Sequence, residues 1–306
     1  MTISIIEDNK SVDVKFHKFS DGASYLKFEL SKAPKEVVLT IENEPADTIP
    51  FIIDLFIDTL FSGAAGVLDA NKVDKILHLP YFPFARADRN FENGNLSPLK
   101  PFLSGMGFFF KEIITNDLHN ESAVREYLDQ AILGETVKLV NKPQVACFNY
   151  TAQKQLWKDD IPVLKRLTGL CAANTVLVAP DKGARQKTVD TSYSYQLPYI
   201  TCEKERDVTT GWIKSFKISE YVGVDSVEGK DVIILDDICD GGATFKILAK
   251  SLKELGAKTV TLYVTHGIFS KPLEEFKPYI DYIMCFQTVM NYVTLQDIVK
   301  YNKGDL

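Results

Sequence analysis

The stretch Val232-Ile233-Ile234-Leu235-Asp236-Asp237-Ile238-Cys239-Asp240-Gly241-Gly242-Ala243-Thr244 decides the fold. It opens with an apolar run, Val232 to Leu235, that lacks the polar alternation of a half-exposed strand and so reads as a strand covered on both faces. Two adjacent carboxylates follow, then two glycines. From Thr244 to Leu255, Phe245, Leu248, Leu252 and Leu255 recur at helical spacing, and Gly256 is a stop signal. The order strand, acidic glycine turn, helix is that of the ligand-binding end of an open α/β sheet. Glycines let the backbone approach closely, successive N–H groups cradle an anion, and a helix start adds partial positive charge. Adjacent carboxylates accept hydrogen bonds from vicinal hydroxyls. A ribose carrying a 5′-phosphate satisfies both ends: Asp236 and Asp237 face the sugar, while the amides of Asp240, Gly241, Gly242, Ala243 and Thr244 hold the phosphate. The plainer alternative is a tight turn with a Thr cap and solvated acids.

Outward from this turn the same alternation recurs. Val37–Ile41, Ile76–Tyr81, Glu112–Leu118, Val145–Tyr150, Thr175–Ala179, Thr259–Val264 and Tyr282–Phe286 are further strand candidates, and helical patterns lie between them, as in parallel sheets with crossover helices. A chain of 306 residues exceeds the usual size of one core, so two α/β domains are expected, with a boundary near residues 145–155. Leu295–Tyr301 reads as a last helix packing back on one half or the other. Apolar residues at 45% and charged residues at 25% are the mix of an ordinary soluble globular protein. No membrane-spanning run or secretory leader is evident, so the expectation is a cytoplasmic protein with no membrane partner. A net charge of -6 argues against nucleic acid as a partner. The cysteines, Cys147, Cys171, Cys202, Cys239 and Cys285, show no paired spacing and are expected to be free thiols, mostly in the core.

The acidic turn resembles the ribose-phosphate loop of the type I phosphoribosyltransferase fold, and especially that of ribose-phosphate diphosphokinases. The resemblance continues along the chain. Leu79-Pro80-Tyr81-Phe82-Pro83-Phe84-Ala85-Arg86-Ala87-Asp88-Arg89 is similar to that family's ATP-binding segment. Phe19-Ser20-Asp21-Gly22 resembles the loop that reaches the adenine of a neighbouring subunit's ATP. Asp117-Leu118-His119 and Ala179-Pro180-Asp181 resemble two metal-bearing turns, and Lys204-Glu205-Arg206 the catalytic Lys-x-Arg. The resemblance implies two phosphoribosyltransferase-like α/β domains, each a mainly parallel sheet flanked by helices: residues 1–148 on the ATP side, 149–286 on the ribose-phosphate side, and 287–306 as a helix packing back. It also implies transfer of the β,γ-diphosphate of ATP to the anomeric hydroxyl of a 5-phosphoribosyl acceptor. ATP contacts fall to Phe19, Asp21, Arg86, Asp88, Arg89 and His119, and Mg2+ contacts to His119 and Asp181. Lys204, Arg206 and His119 carry catalysis, with Arg206 also on the ribose-phosphate. The ATP site is completed across subunits, in a homodimer or higher oligomer.

Chemistry agrees with these assignments. Moving a diphosphate demands charge neutralisation and alignment more than covalent catalysis. Arg86 suits phosphate oxygens or adenine, whereas Asp88 and Arg89 are open to a second reading as a surface ion pair. Imidazole is not a preferred magnesium ligand, so His119 acts either directly or through water; Asp181 is the better hard-cation partner. Lys204 and Arg206 project on one side if a strand continues through them, and the polar stretch Asp207 to Trp212 after them reads as a lid. Three departures from the family pattern matter. Gly241 stands for Thr, which removes a hydroxyl donor and some bulk beside the 5′-phosphate, so ADP-ribose is expected as acceptor at least level with ribose 5-phosphate. Ala23 and Ala87 stand for Glu and Gln and weaken polar recognition of the nucleotide. The rival readings are a phosphoribosyltransferase and a non-catalytic regulatory homologue.

Overall fold

The computed structural model describes residues 2–18, 20, 24–87, 97–106, 109–131, 137–142, 174–206, 213–290 and 292–304. The chain divides into two compact units, Met1–Pro143 and Gln144–Leu306. The strand expected at Val145–Tyr150, the junction expected after residue 148, and Cys147 and Cys171 all lie outside the described residues.

In the first unit the elements are β1 (Thr2–Glu7), β2 (Lys10–Val12), β3 (Lys15–Lys18), β4 (Ser24–Lys27), β5 (Glu36–Glu42), α1 (Ile49–Phe61), β6 (Asp74–Leu79), α2 (Leu99–Met106), β7 (Glu112–Asn116), α3 (Glu121–Ala131) and β8 (Lys138–Lys142). A six-stranded sheet has the order β2-β1-β5-β6-β7-β8, and β3 and β4 form a separate hairpin. β5 to β8 are parallel and in chain order; β1 and β2 extend the sheet antiparallel. Burial alternates along β6 and β7, with Leu77, Leu79 and Ile113 fully enclosed and Ile76, His78 and Ile114 half-buried. Phe28, Phe56 and Phe110 stack within one core cluster that also takes in Ile52 and Leu60 of α1.

The second unit contains β9 (Thr175–Ala179), α4 (Arg185–Tyr195), β10 (Tyr199–Arg206), β11 (Ile213–Val222), β12 (Asp231–Cys239), α5 (Ala243–Glu254), β13 (Thr259–Gly267), β14 (Tyr282–Thr288) and α6 (Leu295–Lys303). Its sheet has the order β11-β10-β9-β12-β13-β14, parallel except for β11. From β9 the chain crosses by α4 to β10 on one side, whereas from β12 it crosses by α5 to β13 on the other. The strand order therefore reverses between β9 and β12. Right-handed crossovers in opposite directions place helices on opposite faces, and two cores result. Val176, Val178, Val232 and Ile234 pack with Phe245, Leu248 and Leu252 of α5, while Leu177, Ile233, Leu235 and Tyr263 form the other cluster with Val189 and Tyr195 of α4. Every residue of β9 is buried, as its unbroken apolar run required.

Expected strand ends shift for local reasons. β6 stops at Leu79 because Pro80 has no N–H to donate, and β7 stops at Asn116 because Asp117 takes a positive φ of 45°. β12 runs four residues beyond Leu235, since Ile238 and Cys239 still pair with His266 and Gly267 of β13. The last helix packs on β14 of the second unit. Asn302 accepts from the N–H of Ile283 at 2.8 Å and donates to its carbonyl at 2.7 Å, and Tyr301 donates its hydroxyl to the carbonyl of Ile280. No helix among the described residues is long and apolar enough to cross a membrane. Cys202, Cys239 and Cys285 are buried free thiols, and burial pushes Cys202 and Cys285 up to about 12, so they are poor nucleophiles.

Candidate functional site

The reversal between β9 and β12 opens a crevice at the carboxyl ends of these strands, the place where open α/β sheets take ligands. Asp181 follows β9. One oxygen of its carboxylate accepts from the amides of Gly183 and Ala184 at 2.9 and 3.2 Å, tying the turn to the start of α4. The other accepts from the ammonium of Lys204, two residues before the end of β10, at 2.7 Å. Burial works against the charge on Asp181, but the Lys204 bond and charge outweigh it, with help from the two amides, and hold the carboxyl below its usual range.

From β12 come Asp236 and Asp237. They lie within the extended strand rather than beyond it, a correction to the end at Leu235 read from the sequence. Asp236 is half-buried, and its carboxyl is raised well above the usual range, first by burial and then by Asp237 beside it and Asp181 across the crevice. The amide of Asp237 donates to Asp236 at 2.9 Å. Asp240 accepts from the hydroxyl of Ser270. Gly242 is the N-cap of α5 with φ 72°, and a Cβ there would sit 2.2 Å from the Phe276 ring, so only glycine fits. Thr244 is the second residue of α5 and makes no cap hydrogen bond, so the Thr cap of the plainer reading is absent. The amides of Gly242, Ala243 and Thr244 open the helix and have no partner within it, as helix geometry dictates.

One participant had no sequence signal. Lys187 of α4 donates to the carbonyl of Asp236 at 2.9 Å and to the hydroxyl of Thr265 at 3.1 Å, linking β12 at the acidic pair to β13. A lysine in the first turns of a polar helix looks like any solvated lysine; only the fold turns it inward.

In the first unit, Arg86 and His119 follow β6 and β7, which are neighbours in the sheet. Both are exposed. The Arg86 turn is held by Phe82 and Phe84 edge-on to Phe102 and by the hydroxyl of Ser97 on the carbonyl of Ala87. The His119 turn is held by Asn141 of β8, which accepts from the amide of Leu118 at 3.1 Å and donates to Glu121 at 2.8 Å. Phe19, Asp21, Ala23, Asp88, Arg89 and the stretch 207–212 lie outside the described residues, as does the side chain of Arg206, whose backbone ends β10. Among the described residues no three His, Cys, Asp or Glu side chains gather as a metal cage. With both oxygens of Asp181 engaged, the donor set suits a hard cation that arrives carrying most of its own oxygen ligands.

Residues 166–298 match the model of the phosphoribosyl transferase domain. Over nearly the full length the chain is similar to ribose-phosphate pyrophosphokinases. That of Pyrococcus abyssi is 26% identical over 293 residues, which span 95% of this chain and 89% of that protein. That of Saccharolobus solfataricus is 27% identical over 256 residues, 83% of this chain and 76% of that protein. Among solved structures, phosphoribosylpyrophosphate synthetase from Mycobacterium smegmatis superposes with a TM-score of 0.62 at 17% identity, covering 94% of this chain and 83% of that one. That likeness places the fold, and over nearly its whole length the chain is similar in sequence to ribose-phosphate pyrophosphokinases.

Proposed function

We propose that the protein transfers the β,γ-diphosphate of Mg-ATP to the anomeric hydroxyl of ribose 5-phosphate, releasing AMP. The observation that carries this reading is the assembly at the strand reversal of the second unit: the Lys204–Asp181 pair at 2.7 Å, the acidic pair Asp236 and Asp237, and the obligatory glycine that opens α5. The names of the full-length relatives support the same acceptor.

In this reading the carboxyl oxygens of Asp236 and Asp237 accept hydrogen bonds from the vicinal sugar hydroxyls. The amides from Asp240 to Thr244 hold the 5′-phosphate on the helix start. Lys204 and Arg206 stabilise the charge that grows on the transferred group. ATP falls to Arg86, Asp88, Arg89 and His119, with Phe19 and Asp21 supplied by a neighbouring subunit of a homo-oligomer. His119 in the first unit and Asp181 in the second are the residues that would hold Mg2+, and the ion would supply neutralisation of phosphate charge. The anomeric oxygen attacks the β-phosphorus, the bond from that phosphorus to the bridging oxygen breaks, AMP leaves, and the hydroxyl proton passes to a carboxylate or to phosphate. Lys204 leaves Asp181 for the transferring diphosphate, which frees one Asp181 oxygen that would then be open to hold the cation.

ADP-ribose is the second reading, admitted by Gly241. Against it, the space beside Gly241 borders Lys271 and Ser270 at 3.4 and 3.7 Å from where a side chain would begin. AMP release from ATP, measured with ribose 5-phosphate and with ADP-ribose, tests both. Ribose 5-phosphate turnover that Lys204→Ala lowers by about 10²–10³-fold is the expected result. Equal AMP release by wild type and Lys204→Ala would sink the mechanism, and turnover on ADP-ribose alone would replace the acceptor.

A further inference from the structure

The loop after β13 brings another cation to the acidic turn. The amides of Ile268 and Phe269 donate to the carbonyl of Cys239 at 2.8 and 3.2 Å, and Ser270 donates its hydroxyl to Asp240, so this loop is fastened to the end of β12. The next residue is Lys271. A side chain at position 241 would begin 3.4 Å from its Cγ, so the lysine stem lies along the glycine that leaves the turn without a hydroxyl. Lys271 is exposed, and its ammonium makes no hydrogen bond or ion pair among the described residues. Asp240 of the turn is already engaged by Ser270, and Lys271 acts on Glu275 only through its charge, while Glu275 itself accepts from Lys246 at 2.9 Å.

We propose that Lys271 is a specificity-determining residue for the acceptor's phosphate, supplying from the β13 loop the donor that Gly241 does not carry. The inference rests on the diphosphokinase reading for its substrate. The ammonium stands three bonds beyond Cγ on a flexible stem and closes on a phosphate held by the amides of residues 240–244. A lysine placed there differs from a hydroxyl in two ways. It adds a charge-assisted bond to a dianionic monoester, and it stays hydrated until the phosphate arrives, so the empty turn bears no buried charge. Binding of the acceptor thus depends on its phosphate more steeply than a neutral turn allows, and it weakens with salt.

Lys271→Met keeps the stem against Gly241 and removes only the charge. Calorimetric titration of wild type and variant with ribose 5-phosphate and with ribose, alongside steady-state AMP release, tests the assignment. The expected result is about tenfold weaker binding of ribose 5-phosphate, the loss of one charged hydrogen bond, with a matching rise in its KM. KM for ATP and the unfolding midpoint stay unchanged. Lys271→Arg recovers most of the affinity, and Gly241→Thr combined with Lys271→Ala recovers part of it by restoring a hydroxyl. Equal affinity of wild type and Lys271→Met for ribose 5-phosphate, a parallel change in KM for ATP, or no binding of ribose 5-phosphate to wild type overturns the inference. Lysine-dependent binding without AMP release would leave it standing and overturn the diphosphokinase reading alone.

Discussion

The two sheets have the same number of strands and different consequences. In the first, β5 to β8 follow one another in chain order, antiparallel strands fill the far side, and burial alternates along β6 and β7. In the second, the order reverses between β9 and β12, a core lies on each face, and β9 is buried throughout. A sheet wound in one direction presents its strand-end turns in a row, as with Arg86 and His119. A sheet wound in both directions parts two such turns and leaves a crevice, and there Asp181, Lys204 and the acidic pair converge. Winding direction alone, at equal strand number, decides whether the carboxyl edge is a row or a cleft.

The largest effect expected from breaking this difference is chemical. Lys204→Ala should lower AMP release by about 10²–10³-fold, the usual loss for one transition-state donor, with little change in unfolding because the ion pair is partly exposed. Next comes the core. Ile234→Ala, at a fully buried strand position, should cost about 2–5 kcal/mol in denaturant unfolding. The equivalent Ile76→Ala in the alternating first sheet should cost visibly less, and equal losses would deny that the two sheets are covered differently.

Smaller again is the backbone contrast. Gly242→Ala drives a Cβ into Phe276 at a positive φ and should cost about 1–3 kcal/mol, whereas Gly63→Ala, also at positive φ but with open space around it, should cost about 1 kcal/mol. Asp236→Asn should move stability the other way. The carboxyl is raised in the fold, so its contribution is present below the unfolded carboxylate range and is lost as pH climbs through the folded value. A neutral isostere removes that loss: the melting temperature should exceed that of wild type, by more near pH 8 than near pH 4, while turnover falls. No gain at the higher pH would mean that the acidic pair is not frustrated. The smallest effect belongs to the exposed first-unit pair Lys111–Asp74, where Lys111→Ala should change stability by less than about 1 kcal/mol.

Much of the second unit was legible because its signals are local. The run Val232–Leu235 announced a doubly covered strand, and Phe245, Leu248 and Leu252 announced the helix that covers it. The first unit was less legible. β1, β2, β3 and β4 are short or charged, and their pairing is fixed by partners far along the chain, such as Ile5 with Leu39. β8 and the long antiparallel β11 escaped for the same reason: Lys138–Lys142 and Ile213–Val222 read as polar surface until a neighbouring strand supplies their ladder. In the site, acids and glycines declared themselves by type and spacing. Lys187 and Lys271 did not, because a lysine becomes a site residue only when the fold aims it, and nothing adjacent in sequence does so.

Asn302 gives the second sheet a finished border. By taking both the N–H and the carbonyl of Ile283, its side-chain amide imitates one residue of a further strand, so the outermost described strand offers no open ladder at that point to another chain. A long, apolar, parallel sheet is the kind of surface that recruits copies of itself edge to edge. Here a single amide on the last helix closes that ladder at Ile283, so the helix that looks like an appendage also covers part of the sheet's edge.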